Sequence, residues 1–320
     1  MRSLKSVLVT GGAGFIGSAL VRKLLLRSEV ERVVVLDSLT YAGDLQKLVG
    51  PDQDPRFHFA MGDINNGELV AQLLSENAIT GTFHLAAESH VDRSIFAPED
   101  FIKTNVAGTS TLLEKTRTHR SPLLICSTDE VYGSTPAHTK FSESAPLNPS
   151  SPYSASKASA DLLALAAVKT YGQDVIISRS SNCYGPRQHP EKLIPRLIFH
   201  ALRDEPLPIY GSGQQIRDWM HVDDCALGLI ATFEKGGTGQ AYNLGSNTEH
   251  TNLGIARSIL KKLHKPETLI THVNDRPGHD ARYALDVRRA LQTLGWKARI
   301  PFRTGFEEAV RELSSELRVG

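Results

Sequence analysis

The sequence predicts an α/β fold: a doubly wound parallel sheet joined to a smaller mixed α/β region on its carboxy-terminal side. Three observations carry this. Short β-branched runs alternate with longer amphipathic stretches through the first half of the chain. A glycine-rich turn links the first run directly to the first amphipathic stretch. After about residue 179 the rhythm gives way to segments punctuated by proline and glycine, such as Pro206-Leu207-Pro208-Ile209-Tyr210-Gly211. A chain of 320 residues has room for two such units. They are placed at 1–178 and 179–320, interleaving at their boundary.

The elements follow in order. Ser6-Val7-Leu8-Val9-Thr10 reads as a strand, a helix begins at about Phe15, and Arg32-Val33-Val34-Val35-Leu36-Asp37 is a second strand, which makes a βαβ unit. Further strands are expected near Phe57–Ala60, Thr82–Ala86, Leu123–Cys126 and Val175–Ser178, with helical stretches between them that cover both faces of a parallel sheet. Residues 98–118 and 152–171 are long helical patterns, the second entered from a Ser/Pro-rich loop between Pro146 and Pro152. In the carboxy-terminal region helical patterns fall near 223–234, 252–263 and 303–316.

Composition narrows the function. Hydrophobic residues at 40% and charged residues at 22% suit a globular protein and exclude wholesale disorder or a collagen-like repeat. With 36 Lys plus Arg against 35 Asp plus Glu the net charge is +1, so a nucleic-acid or anionic-membrane partner is not expected and a small molecule is. No apolar run approaches the roughly 18 residues of a membrane helix. The amino terminus passes from Met1-Arg2 almost directly into the first strand, so a cytoplasmic protein is expected. Cys126, Cys183 and Cys225 are widely separated and form no His/Cys cluster, which predicts neither a disulfide framework nor a metal site.

The turn Gly11-Gly12-Ala13-Gly14-Phe15-Ile16-Gly17 follows the first strand and opens the first helix. Glycines at 11, 14 and 17 let the turn tighten, let backbone amides reach a pyrophosphate and let the helix pack on the sheet, the Rossmann arrangement for dinucleotides. Asp37 lies about 20 residues beyond Gly17 at the end of the second strand, where a carboxylate accepts both ribose hydroxyls. Ser38 and Leu39 follow it instead of an arginine that would hold a 2′-phosphate, so NAD is expected over NADP. Asp63, in Gly62-Asp63-Ile64, either faces the adenine or caps a helix.

Tyr153-Ser154-Ala155-Ser156-Lys157 sets a phenol and an ammonium at i and i+4 on one helix face, and Ser127-Thr128 closes a strand. A neighbouring ammonium and a positive nicotinamide favour the phenolate, giving a base near neutral pH. This set resembles the extended short-chain dehydrogenase/reductase family. Ser127-Thr128-Asp129-Glu130-Val131-Tyr132-Gly133 narrows the resemblance to nucleotide-sugar 4,6-dehydratases. It is joined by His84-Leu85-Ala86-Ala87-Glu88-Ser89-His90-Val91-Asp92-Arg93-Ser94, Pro190–Pro195, Arg217-Asp218-Trp219 and Asp275-Arg276-Pro277-Gly278-His279-Asp280.

The resemblance implies that Tyr153, helped by Thr128, takes the proton of a sugar 4-hydroxyl as the 4-hydrogen leaves for NAD. It implies Glu130 as base at C5, Asp129 as the acid that releases the 6-hydroxyl, and return of the hydride to C6. It assigns Gly11, Gly14, Phe15, Ile16, Gly17, Asp37, Asp63, Ile64, Tyr153 and Lys157 to the cofactor. The carboxy-terminal region would hold a nucleotide diphosphate, with Ser89, Asn182 and Lys192 near sugar and diphosphate, Arg217 and Arg276 on phosphate oxygens, and Asn252 and His279 assisting. Leu193, Pro208 and Tyr210 either line the base and ribose or belong to the core. The substrate implied is a dTDP-sugar. Dehydration, epimerisation or decarboxylation of a UDP- or CDP-sugar, and a silent NAD-binding protein, are the alternatives.

Two features depart from the family. Ser181-Asn182-Cys183-Tyr184-Gly185-Pro186 has cysteine where a second asparagine is usual, read here as a packing residue. The tail ends at Arg318-Val319-Gly320 without the usual Trp-Tyr, so closure over the substrate is expected to differ in detail. The family pairs the 98–118 and 152–171 helices across a dyad, which implies a homodimer.

Overall fold

The computed structural model describes residues 1–319; Gly320, the last residue of the tail discussed above, lies outside the described residues. The first half builds strands β1 (Ser6–Thr10), β2 (Arg32–Asp37), β3 (Phe57–Met61), β4 (Gly81–His84), β5 (Leu123–Thr128) and β6 (Val175–Ser180). Between them lie helices α1 (Phe15–Leu25), α2 (Gly67–Glu76), α3 (Val91–Phe96), α4 (Pro98–Phe101), α5 (Thr109–Thr118) and α6 (Pro152–Tyr171). The second half adds β7 (Asn182–Tyr184), α7 (Leu193–Leu202), β8 (Leu207–Tyr210), β9 (Ile216–His221), α8 (Val222–Lys235), β10 (Ala241–Leu244), β11 (Glu249–Thr251), α9 (Asn252–Leu263), β12 (Ile270–Val273) and α10 (Phe302–Val319).

Seven strands form one parallel sheet in the order β10-β6-β5-β4-β1-β2-β3. Because helices cover both faces, β1, β5 and β6 are buried at every residue, and their near-continuous apolar runs follow from that. On one face α1 and α8 pack with Val9, Phe83, Cys126 and Phe233. On the other, α2 and α5 cover Leu8 and Val34, while α6 covers Ile125 and Ile177. The chain reverses direction across the sheet between β1 and β4, and the carboxyl ends of the strands there open the crevice in which such sheets bind ligands.

The expected boundary at 178/179 falls inside β6, and α8 and β10 belong to the layers of the large sheet although they follow it in sequence. The smaller region is a three-stranded sheet, β11-β9-β7, and the pair β12-β8, packed with α7, α9 and α10 around Leu197, Ile209, Trp219, Ile259 and Val310. Strands β7 and β11 are three residues each, too short to show an alternation.

Two helical patterns resolve differently. α6 runs over the expected 152–171; Ser151 and Ser154 form its capping box, Pro152 is its first residue and Gly172 closes it in the left-handed conformation. The 98–118 pattern is interrupted by a π-turn at Ile102–Gly108 between α4 and α5. The wider turn carries Asn105 into the interior, where its Oδ1 accepts the Glu88 amide at 2.9 Å and its amide group donates to the Glu88 carbonyl at 3.0 Å and to Ser156 at 2.8 Å. Among the described residues no helix is long and apolar enough to cross a membrane.

Candidate active site

The glycine turn is obligatory where it lies. Gly11 has φ +71° and a Cβ there would stand 2.5 Å from the Ala86 amide nitrogen; a Cβ on Gly17 would collide with the Gly11 carbonyl. Gly14 is the N-cap of α1 and no side chain caps this helix, so its first-turn amides open onto the cleft beside Phe15 and Ile16. Asp37 is fixed at the adjacent strand end, accepting the Ala13 amide at Oδ2 and the Leu39 amide at Oδ1, both at 2.9 Å. Each oxygen keeps a lone pair for a further donor. The uncapped helix, the cradle that a Cβ would fill and the anchored carboxylate together suit a dinucleotide. Asp63 and Ile64 line the same cleft. Asn66, and not Asp63, caps α2, which leaves Asp63 bonded to Asn65 and facing the cleft.

Strand β5 runs to Thr128, two residues further than its apolar run, and so delivers Thr128, Asp129 and Glu130 to the floor of the cleft. The Thr128 side chain accepts the Glu130 amide at 3.3 Å and caps the turn Asp129–Tyr132. Tyr153 and Lys157 reach the cleft from α6. Lys157, 4% exposed, donates to the carbonyl of Cys126 at 2.7 Å, and burial lowers its ammonium below the usual range. Burial, then the charge of Glu130, pushes the Tyr153 phenol well above its ordinary range, with Thr128 acting in the opposite direction. In the protein alone Tyr153 is therefore a neutral phenol, unlike the phenolate that the Tyr-Lys spacing by itself suggests.

The acidic neighbours differ. Burial and then Glu130 push Asp129 well above the carboxylate range, and its Oδ2 is buried with no hydrogen-bond partner. Burial also raises Glu130, but Arg276, Arg217 and Lys192 all pull against it. Burial raises both carboxyls, Asp129 the further, while three cations oppose the rise of Glu130, a difference that suits Asp129 for donating a proton and Glu130 for accepting one.

Ser89, Asn182 and Lys192 line the cleft with these groups. Lys192 donates to the Ser89 carbonyl at 2.8 Å, and Asn182 presents a buried, unpartnered Oδ1. Arg217 is 4% exposed and donates to the carbonyls of Ile216 and Asp280. Arg276 and Tyr210 meet on Asp92, at 3.1 and 2.8 Å, and His279 bonds Asp275 at 2.6 Å with its ring edge-on to Tyr210. Pro208 lies two residues before Tyr210 on β8. Leu193 opens α7 and packs on the smaller core, while Asn252 opens α9 with its amide donating to the Gln215 carbonyl. Leu193, Pro208, Tyr210, Arg217, Asn252, Arg276 and His279 are outside the lining of the cleft proper, on the side of the smaller region.

Sequence reasoning missed four residues that organise this side: Asp92 and Asp275, which hold the residues just named, and Tyr283 with Asp280, the first of which meets Glu130 across 153 residues of chain. Motif fragments contained three of the four without showing their partners. It also found no second thiol beside Cys183. Cys225 of α8 is that thiol: its hydrogen bond, then burial, pushes Cys183 well above the thiol range and leaves it a packing residue.

Known proteins are similar to this chain in sequence and fold. A dTDP-glucose 4,6-dehydratase of Neisseria gonorrhoeae is 44% identical, with 96% of this chain and 95% of that protein covered. The solved dTDP-glucose 4,6-dehydratase of Streptomyces venezuelae, with NAD bound, superposes with a TM-score of 0.94 at 43% identity and 98% coverage of each chain. The UDP-glucose 4-epimerase of Thermotoga maritima also superposes, with a TM-score of 0.90 at 28% identity over 98% of this chain and 99% of that one, so the fold alone does not fix the chemistry. The family model for GDP-mannose 4,6 dehydratase matches residues 8–309, a span that contains the glycine turn, Asp129-Glu130 and Arg276, and the chain belongs to that family.

Proposed function

We propose that the protein is a dTDP-glucose 4,6-dehydratase, an NAD-dependent hydro-lyase that converts dTDP-glucose to dTDP-4-keto-6-deoxyglucose. The observation that carries this reading is the acidic pair of buried Asp129 and half-buried Glu130, the second opposed by three cations, in the cleft that also takes Tyr153. The dehydratase relatives support it at a level of identity that the epimerase does not reach.

NAD is held by Gly11, Gly14, Phe15, Ile16, Gly17, Asp37, Asp63 and Ile64, with Tyr153 and Lys157 at its nicotinamide end; bound there, it supplies the acceptor for the C4 hydride and the donor to C6. Tyr153 takes the proton of the 4-hydroxyl with help from Thr128. A bound NAD would supply a positive ring that favours the phenolate against the burial that keeps the phenol neutral. Glu130, flanked by three cations, removes the C5 proton acidified by the new ketone, and protonated Asp129 donates through its free Oδ2 to the departing 6-hydroxyl. Ser89, Asn182, Lys192, Arg217 and Arg276 hold sugar and diphosphate, with Leu193, Pro208, Tyr210, Asn252 and His279 towards ribose and base. Incubation with dTDP-, UDP- and CDP-glucose followed by mass spectrometry tests the reading. Loss of one water from dTDP-glucose is expected; an unchanged dTDP-glucose, or loss from another nucleotide sugar in preference, refutes it.

Asp37→Ala is expected to weaken NAD about tenfold or more, the worth of a charge-assisted hydrogen bond, while NADP weakens less. Titration calorimetry with both cofactors measures the narrowing. Equal binding before and after removes Asp37 from the site.

The protein acts as a homodimer in the cytoplasm, where its nucleotide substrate and NAD are found. Ala155, Leu162 and Ala166 are exposed along one stripe of α6, the alanines small enough for close helix approach and the leucine apolar between them, and Ile102 and Phe96 are exposed nearby in sequence to α4. Leu162→Asp places a charge on that stripe. Sedimentation should show a dimer for the parent protein at micromolar concentration and a shift to monomer for the variant; an all-monomer parent refutes the assembly.

A further inference from the structure

Tyr283 is 3% exposed and lies under the guanidinium of Arg217, 4.1 Å from ring centre to carbon. Its hydroxyl donates to Asp280 Oδ2 at 2.8 Å and stands 3.5 Å from Glu130 Oε2. Asp280, 8% exposed, accepts the hydroxyl of Ser150 at Oδ1 at 2.7 Å. Ser150 is exposed, at the end of the loop that enters α6. The segment 275–280, which carries Asp280, lies closely against Ser150, since a Cβ on Gly278 would collide with the Ser150 carbonyl. Four polar groups therefore run from the base of the site to the surface, away from the open cleft.

Building on the dehydratase reading, we propose that Tyr283 and Asp280 are a proton relay that exchanges the proton of Glu130 with solvent at Ser150 while substrate fills the cleft. Once Glu130 has taken the C5 proton, its Oε2–H points at an oxygen that already donates onward. The Glu130 O–H bond breaks as that proton joins the Tyr283 oxygen, and the original Tyr283 proton passes to Asp280 Oδ2. The Asp280 carboxyl then turns its O–H towards Ser150, whose hydroxyl accepts that proton as its own passes to water, and reprotonation runs the same path backwards. One proton enters for each that leaves, and no electrons move. Burial, then the charge of Glu130, holds Tyr283 far above the ordinary phenol range, so it passes protons without storing charge. Tyr283 is a positioning and relay residue; it does not touch the reacting carbons.

The test is turnover of dTDP-glucose in D2O with the C5 isotope read by NMR in the product. The parent enzyme should place deuterium at C5. Tyr283→Phe removes the relay hydroxyl and Asp280→Asn removes its acceptor; both should yield product that has lost most of its C5 deuterium, because Glu130 hands the same proton back. Transfer of label from C4 to C6 should persist in both, which a general disturbance of the site would not preserve. The ratio is read only in product molecules, so partial loss of folded enzyme does not move it. Full deuteration at C5 in both variants overturns the relay, as does loss of all turnover in both. A parent enzyme that loses no water at all refutes the dehydratase reading instead.

Discussion

Glu130→Gln is expected to oxidise the sugar at C4 and stall there, with dehydration slowed by about 10²–10⁴, the usual contribution of a general base, and exchange at C5 lost. Asp129→Asn should slow water loss by a similar factor while leaving C5 exchange intact, since the base is untouched. The difference follows from the surroundings. Asp129 is kept protonated by burial and by the charge of Glu130, whereas Lys192, Arg217 and Arg276 favour the carboxylate of Glu130. Tyr153→Phe should impair the first oxidation itself. With substrate deuterated at C4, NMR of C5 and C6 separates the three stages. The double acidic variant need not be worse than the poorer single one, because groups that act as a unit are not additive. Rapid water loss in Asp129→Asn, or normal C5 exchange in Glu130→Gln, would reverse the assignment of that residue.

The second large effect is on stability. Asp161 on α6 and Arg179 on β6, at 0% and 3% exposure, pair at 2.8 Å, and Arg179 also donates to the Tyr132 hydroxyl at 2.7 Å. Arg179→Ala leaves the Asp161 carboxylate, one helical turn beyond Lys157, with only Ser127 and the charge of Lys157 against its burial, and unfolding in urea should show a loss of about 3–5 kcal/mol. The double replacement Asp161→Leu with Arg179→Met removes both charges and should recover most of it, because a buried pair is weak in net terms while a broken one is costly. A single-variant loss below about 1 kcal/mol, the range of an exposed pair, would mean that Asp161 finds another partner or water.

The large sheet and the centre of the site were legible because their determinants are local. The glycine turn and Asp37 lie at the ends of adjacent strands, Thr128-Asp129-Glu130 is one turn, and Tyr153 and Lys157 share a helix face. What the sequence hides depends on pairings between distant segments. Tyr283 has no meaning in its own stretch until the fold brings it to Glu130, and Asp92 acquires one only when Tyr210 and Arg276 close on it. The π-turn at 102–108 is hidden for a similar reason: its helical pattern is intact, and only the partners of Asn105, Glu88 and Ser156, reveal why the turn widens. At Tyr153 local logic gave an incomplete account of the ionisation, since spacing does not report burial.

The closing strand of the large sheet also orders events in time. During synthesis β6 leaves the ribosome with a bare edge, and the residues that cover it, Ala241–Leu244, emerge only after much of the smaller region. When β10 docks, Asn243 accepts the hydroxyl of Tyr132 at 2.9 Å, and Tyr132 ends the short turn that holds Asp129 and Glu130. Closing the edge and setting the acid-base turn are thus one event. A nascent or truncated chain that stops before Asn243 has both an open strand edge and a Tyr132 hydroxyl without this acceptor, so the half-made protein is an aggregation hazard whose Asp129-Glu130 turn lacks one of its anchors.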